Sequence, residues 1–523
     1  MNGLSVRTVA GRNAAWSLLR YVVNFGVVFV LTPFIIETVG DARYGLWALV
    51  FAIIGYAGFL DLGVQQATMK LVAQHRGKGE KDRLNAVAST AMAFFLLLAL
   101  VAALACWFVL PHWMHLFVDN PADVLESQRL LHVVGLNMFF LFCGNVLSGV
   151  ALGLHQYHYK GMFDSLTGLA RLGLTILVLR QGFGLVGLAW VKLGLDAASM
   201  LFMAWACRRG FPSLRLAPGL VGKEPMRELL RFGTSVFTSS SAVRFNRTTN
   251  PIIVSWLLGT VYTAYFTVCT RLVGYANEVL MSLTAAFMPI FSELGAQGRD
   301  RVREVYLRYT RYLVGLTLPA YLAVMLCGPH FVALWISPEY ARECAWPLRI
   351  MALVALIRGL QPLQARVLMG WGDVRFYARM VVCCSLTATV VGAALVPVAG
   401  IAGPPLAGLA ATLVQQTVFL LHLSDRMDFS KARFAASCHL RLLAPVLVFA
   451  GLLAWILGPL DEASYPRLLL AAAAAIAAYI PLAFMGLLDS GERRGVLARV
   501  PGLGKKQPGD APVAPLAEPV ERP

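Results

Sequence analysis

Fourteen apolar runs of about 20 residues divide this chain, at roughly 14–37, 45–69, 84–110, 127–153, 161–180, 183–206, 232–257, 261–286, 312–334, 345–369, 380–397, 401–423, 442–459 and 468–488. An α-helix of that length crosses a hydrocarbon layer about 30 Å thick, and only helices and closed barrels satisfy their own backbone hydrogen bonds there. The chain is therefore expected to be an all-α membrane protein of about fourteen transmembrane helices. Its 58% hydrophobic and 14% charged residues point the same way.

Lys and Arg sort by side. The four long even-numbered connections carry 20 of them, among Lys70–Arg83, Arg208–Arg231, Arg299–Arg311 and Arg426–Arg441, whereas the seven odd-numbered ones carry only Arg43, Arg180, Arg342 and Arg467. The positive-inside rule then places both termini in the cytoplasm. A net charge of +17 needs no nucleic-acid partner, because basic loops and tail lie beside anionic membrane lipid. Nine cysteines show no C-x-x-C spacing and imply neither a disulfide framework nor a metal site.

The chain also repeats itself. Gly40 in "ETVGDARYG" aligns with Gly259, Gly153 in "VALGLHQYHY" with Gly370, and the "GLVG" of Gly184 with the "GIAG" of Gly400, at offsets of 219, 217 and 216. An even number of helices per repeat keeps both halves in one orientation, facing each other across a pseudo-twofold axis along the membrane normal, as in alternating-access transporters. The expected organisation is an N-terminal cytoplasmic segment (1–13), a six-helix lobe (14–206), a cytoplasmic linker (207–231) and a second six-helix lobe (232–423). A connection with helices thirteen and fourteen (424–488) and a disordered cytoplasmic tail (489–523) complete it.

The stretches "NAAWSLLRYVVNFGVVFVLTPFIIETVGDARYGLWAL", "FLDLGVQQATMKLVA" and "YFTVCTRLVGYANEVLMSLTAAFMPIFSEL" resemble the polysaccharide transporters of the multidrug/oligosaccharidyl-lipid/polysaccharide exporter superfamily, the O-antigen flippase type. The likeness spans about residues 10–425. It implies two MATE-like bundles around a central cavity in a bacterial inner membrane. The implied cargo is a polyprenyl-pyrophosphate-linked oligosaccharide moved from the cytoplasmic to the periplasmic leaflet for cell-surface polysaccharide synthesis. The implied protein partners are a polysaccharide polymerase or glycosyltransferases.

The residues themselves favour an anionic cargo. Ten cations lie inside the runs (Arg20, Arg129, Arg171, Lys192, Arg244, Arg247, Arg271, Arg349, Arg358 and Arg366) against four carboxylates (Asp61, Asp164, Asp196 and Glu278). Counting about 1.5 Å per residue from the helix ends sets Arg171, Lys192, Arg247, Arg271 and Arg358 near mid-membrane. A charge there costs at least about 2.5 kcal/mol unless it is paired or hydrated. Four carboxylates cannot pair them all, so part of this charge faces a wet lumen. Arg20, Asn24, Arg171, Arg244, Arg247, Asn250, Arg271 and Arg358 are the candidate substrate contacts, since a guanidinium fork matches a pyrophosphate. The competing role for these arginines is structural, holding unwound backbone or the carboxylates. Lys192 and Asp196 are i,i+4 and form an internal pair as readily as a ligand site. Asp61, in "FLDLG", and Asp196 are the candidates for coupling transport to H+ or Na+; no other cofactor is expected.

Two other functions compete. A multidrug exporter of the same fold would leave an acidic lumen for organic cations. A membrane glycan polymerase or ligase would place its working residues in a sizeable outer loop, and the longest outer connection here has only about 19 residues by these boundaries. No P-loop, nucleophile elbow or H-E-x-x-H motif is present in the sequence.

Overall fold

The computed structural model describes residues 23–118, 120–285, 287–295, 298–487 and 492–493. The expected N-terminal segment, Arg20 and all of the expected tail except Glu492 and Arg493 lie outside them. The described residues form helices and turns without a strand. In order these are α1 (Val23–Val39), α2 (Asp41–Gly55), α3 (Val64–Lys78), α4 (Lys81–Leu104), α5 (Pro121–Gly153) and α6 (Tyr157–Arg180). Next come α7 (Gly184–Gly210), α8 (Lys223–Leu258), α9 (Thr260–Ala285), α10 (Phe287–Gly295), α11 (Arg299–Trp335) and α12 (Pro338–Gly359). The last are α13 (Gln364–Gly370), α14 (Val374–Ala399), α15 (Gly403–Met427), α16 (Arg441–Leu457) and α17 (Tyr465–Leu487).

Eight helical stretches among the described residues are long and apolar enough to cross a membrane, one of them running through both α14 and α15. The chain is thus a multi-pass membrane protein, although eight such stretches do not establish fourteen crossings. The other runs fall on the shorter α1, on α9, on helices that are broken (α2 and α3, α12 and α13) or on α8, which is rich in polar residues. Broken or polar helices are stable in a bilayer only where they line protein or a hydrated cavity.

The duplicated glycines have matching structural roles. Gly40 and Gly259 are the single residues joining α1 to α2 and α8 to α9, at φ 84° and 93°, a backbone that glycine adopts without a Cβ penalty. Gly184 and Gly400 likewise share φ values of 58° and 57°. Gly153 and Gly370 are each the last residue of a helix.

Two prolines fasten helices together. Pro33 has no N–H to offer the carbonyl of Phe29 four residues earlier, and the Trp335 indole of α11 donates to that carbonyl at 2.7 Å. Pro319 frees the carbonyl of Gly315 in the same way, and the Tyr479 hydroxyl of α17 takes it at 2.5 Å. The first bond ties the two halves of the chain; the second docks the terminal helix pair.

One hydrophobic core runs from Val27 through the first half to Val332, Trp335, Tyr340 and Ile401 of the second. A separate core around Phe291, Tyr306, Leu363, Phe419 and Phe434 serves the second half alone. This core includes residues near the basic connections, such as Leu71, Leu84, Met203 and Leu229, and others near Gly40 and Gly259 at the opposite face. There α2 crosses α9 so closely that a Cβ on Gly45 would stand 1.7 Å from the Thr260 carbonyl oxygen. Tyr340 also donates to Asp41 Oδ1 across the halves at 2.9 Å. The halves are therefore sealed together at the face opposite the basic one.

On the basic face, α7 reaches Gly210 and α8 starts at Lys223, and the extended segment between them is laid along α4. Asn85 Nδ2 donates to Ser213 O at 3.0 Å and its Oδ1 accepts from Arg215 N at 3.1 Å. Ser89 Oγ accepts from Ala217 N at 3.2 Å, and Thr90 Oγ1 from Gly222 N at 3.2 Å. Near its end, His75 Nδ1 donates to Glu80 at 2.7 Å, which holds the Glu80 carboxyl below its ordinary range. Asn85→Ala removes two hydrogen bonds worth about 1 kcal/mol each. Amide exchange at Arg215 is expected to accelerate by more than tenfold while the transmembrane helices keep their protection; unchanged exchange would mean the segment is held by other contacts.

Candidate functional site

A cavity of about 660 Å³ is walled mainly by α1, α2, α5, α6 and α7, with Arg271 reaching in from α9. Its charged lining consists of Lys160, Arg171, Lys192 and Arg271 against Asp164 and Asp196. The cavity thus carries a net charge of +2.

The excess sits on the two arginines. Lys192 Nζ bonds Asp196 Oδ2 at 2.7 Å, where Asn137 Nδ2 also donates at 3.0 Å. Lys160 pairs with Asp164 one turn along α6. Each lysine therefore neutralises the carboxylate four residues on, as the helical spacing requires. Arg171 instead donates only to the neutral Asn24 Oδ1, at 3.2 Å. Arg271 has the Thr32 hydroxyl at 3.5 Å and stands 5.8 Å from the centre of the Tyr44 ring. Neither forms an ion pair among the described residues, and each is near enough to feel the other's charge. Two adjacent unpaired guanidiniums make a site for an anion with several oxygens.

The remaining candidates are placed elsewhere. Arg244 Nη1 donates to Gly58 O at 2.7 Å, within the break between α2 and α3, and lies within electrostatic reach of Asp61. Asp61 Oδ1 accepts from Gln65 N at 3.1 Å and so caps the start of α3. Arg247 packs near Gly274, one turn along α9 from Arg271, and is exposed without a hydrogen bond or ion pair among the described residues. The Asn250 carbonyl oxygen is buried without a partner. Arg358 sits in the second half, where its Nη2 donates to Thr412 Oγ1 at 3.2 Å. Arg20 lies outside the described residues.

Sequence reasoning missed Lys160, because the apolar run was drawn from residue 161 whereas the helix begins at Tyr157. Its i,i+4 spacing to Asp164 is the signal that would have found it. It also missed Thr32, Tyr44 and Asn145, whose lumen position depends on how neighbouring helices pack.

The family model described as "Polysaccharide biosynthesis protein" matches residues 10–295, more than half of the chain. The chain belongs to this family. The MatE family model matches residues 247–394. A Shigella flexneri protein named for O-antigen transport is 25% identical over 92 residues, covering 18% of this chain and 22% of that protein. The matched stretch thus spans about a fifth of that relative's length.

Solved structures of this polysaccharide biosynthesis family member's fold include the lipid II flippase MurJ in an inward closed conformation. Its TM-score is 0.67 at 12% identity, over 90% of this chain and 98% of that one. An inward-facing multidrug resistance MATE transporter of the MOP superfamily also gives 0.67, at 16% identity over 78% and 99% of the two chains. A MOP superfamily transporter from Pyrococcus furiosus gives 0.57 at 16% identity, over 80% and 96%. The family member therefore shares the fold of these MOP superfamily proteins.

Proposed function

We propose that the protein is a flippase for a polyprenyl-pyrophosphate-linked oligosaccharide, moving it from the cytoplasmic to the periplasmic leaflet of a bacterial inner membrane. The observation that carries this reading is the +2 charge of the cavity, concentrated on Arg171 and Arg271. A pyrophosphate diester carries two negative charges on oxygens that a pair of guanidiniums can bind bidentately. A cavity of about 660 Å³ is sized for a small ligand. It would hold the headgroup and adjoining sugar while the rest of the glycan extends toward the open side and the polyprenyl chain stays in lipid.

In this reading the basic face is cytoplasmic, so the tight crossing of α2 and α9 closes the periplasmic side. Transport requires that crossing to open once the diphosphate is bound. Asp61 and Asp196 are the carboxylates proposed to exchange H+ or Na+ during the cycle. Asp196 Oδ2 accepts from both the Lys192 ammonium and the Asn137 amide, so a substrate oxygen drawing Lys192 away would leave it open to a proton or cation.

A multidrug exporter has the same fold, and MATE transporters are among the solved relatives. Proteoliposomes separate the two. Fluorescent undecaprenyl-pyrophosphate-linked sugar is expected to become accessible in the opposite leaflet, with no accumulation of an organic cation such as ethidium. Ethidium transport without lipid translocation would replace the flippase reading with the exporter one.

A further inference from the structure

A second polar set lies in the other half of the molecule. Helix α12 ends at Gly359 and α13 begins at Gln364, so the membrane run is interrupted over Leu360–Leu363, around Pro362. Such a break frees backbone carbonyls. Here they are already satisfied: Thr317 Oγ1 donates to Gly359 O at 3.1 Å, and His439 Nε2 to Leu360 O at 3.0 Å. Gln361 N bonds Arg358 O at 3.2 Å, and Gln364 N bonds Gln361 O at 3.4 Å.

The side chains at the break are thus not needed to repair it. Gln364 is 2% exposed, and neither its Oε1 nor its Nε2 has a partner among the described residues. Gln361 Oε1 and Gln416 Oε1 are buried without partners as well. An unmet buried polar group costs about 1–3 kcal/mol, so Gln361 and Gln364, at the break that follows Arg358, are open to hydrogen-bonding ligand atoms. Gln416 is one turn from Thr412 on α15, and Thr412 holds the Arg358 guanidinium. Arg358 is exposed and forms no ion pair among the described residues, and the tyrosines Tyr321 and Tyr377 lie within its electrostatic reach.

We propose that this set is a saccharide subsite that takes an acidic sugar, with the sugar carboxylate on Arg358 and its hydroxyls on the glutamine amides. The amides supply both donors and acceptors, which suits hydroxyl groups; the unpaired guanidinium adds a demand for one negative charge. This inference rests on the reading of the cargo as a lipid-linked glycan. It divides the substrate, with the diphosphate held at Arg171 and Arg271 and the sugar read in the second half of the chain. Water alone would meet the amides but would leave Arg358 without a counter-charge.

The test uses the full chain in phosphatidylcholine nanodiscs, titrated calorimetrically with a glucuronate-containing tetrasaccharide and with its carboxyl-reduced counterpart. The acidic probe is expected to bind at least tenfold more tightly. Arg358→Gln is expected to erase that preference, Arg358→Lys to retain part of it, and Gln416→Leu to weaken both probes. Arg366→Gln, at a nearby cation, serves as the control for general attraction and should leave the preference in place. Thermal melting checks that every variant is folded.

Equal affinity for the two probes, or an undiminished preference in Arg358→Gln, would overturn the proposal. So would displacement of the tetrasaccharide by phosphatidylglycerol, which would assign Arg358 to a lipid headgroup. Inorganic pyrophosphate is titrated in parallel and is expected to bind together with the tetrasaccharide; competition would mean a single shared site and also count against it. Loss of pyrophosphate binding alone would contradict the diphosphate site while leaving the saccharide subsite standing.

Discussion

Arg171→Gln with Arg271→Gln is expected to abolish binding of a pyrophosphate-linked lipid while leaving the protein folded. A hydrogen bond to a charged group contributes about 1.5–3 kcal/mol, so each single change should weaken binding by about tenfold to a hundredfold. The double change should weaken it by about a hundredfold to ten-thousandfold if the two act independently. Stability should not fall, because two cations near mid-membrane are each costly and each repels the other. Glutamine at position 171 can still donate toward Asn24, which preserves the packing of α6 on α1. Calorimetric titration with a short-chain prenyl pyrophosphate measures the effect, with thermal melting alongside. Retained affinity in the folded double variant would make these arginines scaffolding.

Gly45→Val is expected to hold the two halves apart at the face opposite the basic one. The added Cβ would fall 1.7 Å from the Thr260 carbonyl oxygen and 2.5 Å from its carbonyl carbon. These are backbone atoms at the start of α9, which cannot swing aside as a flexible side chain does. The crossing must open, and the Tyr340 to Asp41 hydrogen bond beside it should be lost with it. Spin labels at Thr38 and Tyr262, both exposed, would report the change once the accessible Cys327, Cys383 and Cys384 are replaced by serine. The expected result is a shift of the distance distribution to longer values and a loss of translocation of at least tenfold. An unchanged distribution with normal transport would show that this crossing is not the closure that transport has to open.

Much of the architecture was legible in the sequence because membrane helices obey a simple length and charge rule. The duplicated glycines at 40 and 259 and at 184 and 400 could be aligned because their backbone conformations tolerate few other residues. The pairing of Lys192 with Asp196 followed from helical spacing alone, and Arg171 and Arg271, both singled out in the sequence, line one cavity. What spacing could not reveal is the neighbour that each helix face meets. Arg244 was a candidate substrate contact, yet its guanidinium caps the carbonyl of Gly58 at a break inside the continuous apolar run 45–69. That break has no proline to announce it; it is made at Leu62 and Gly63, which take positive φ, and stabilised by the Asp61 cap. Asp61 and Arg244 therefore have structural work that no reading of one helix in isolation exposes.

The pairing of cavity charges was hidden for a related reason. Four cations and two carboxylates come together only because α6, α7 and α9 converge, and the sum that matters is the one left after each lysine has taken its own aspartate. That residue of two unpaired guanidiniums is the basis for the proposed function.

The most direct measurement is a cryo-electron microscopy structure of the protein with undecaprenyl pyrophosphate bound. The account predicts diphosphate density between the Arg171 and Arg271 guanidiniums, with Lys192 drawn toward it. Density for the diphosphate beside Arg244 and Arg247, with Arg171 and Arg271 untouched, would contradict it.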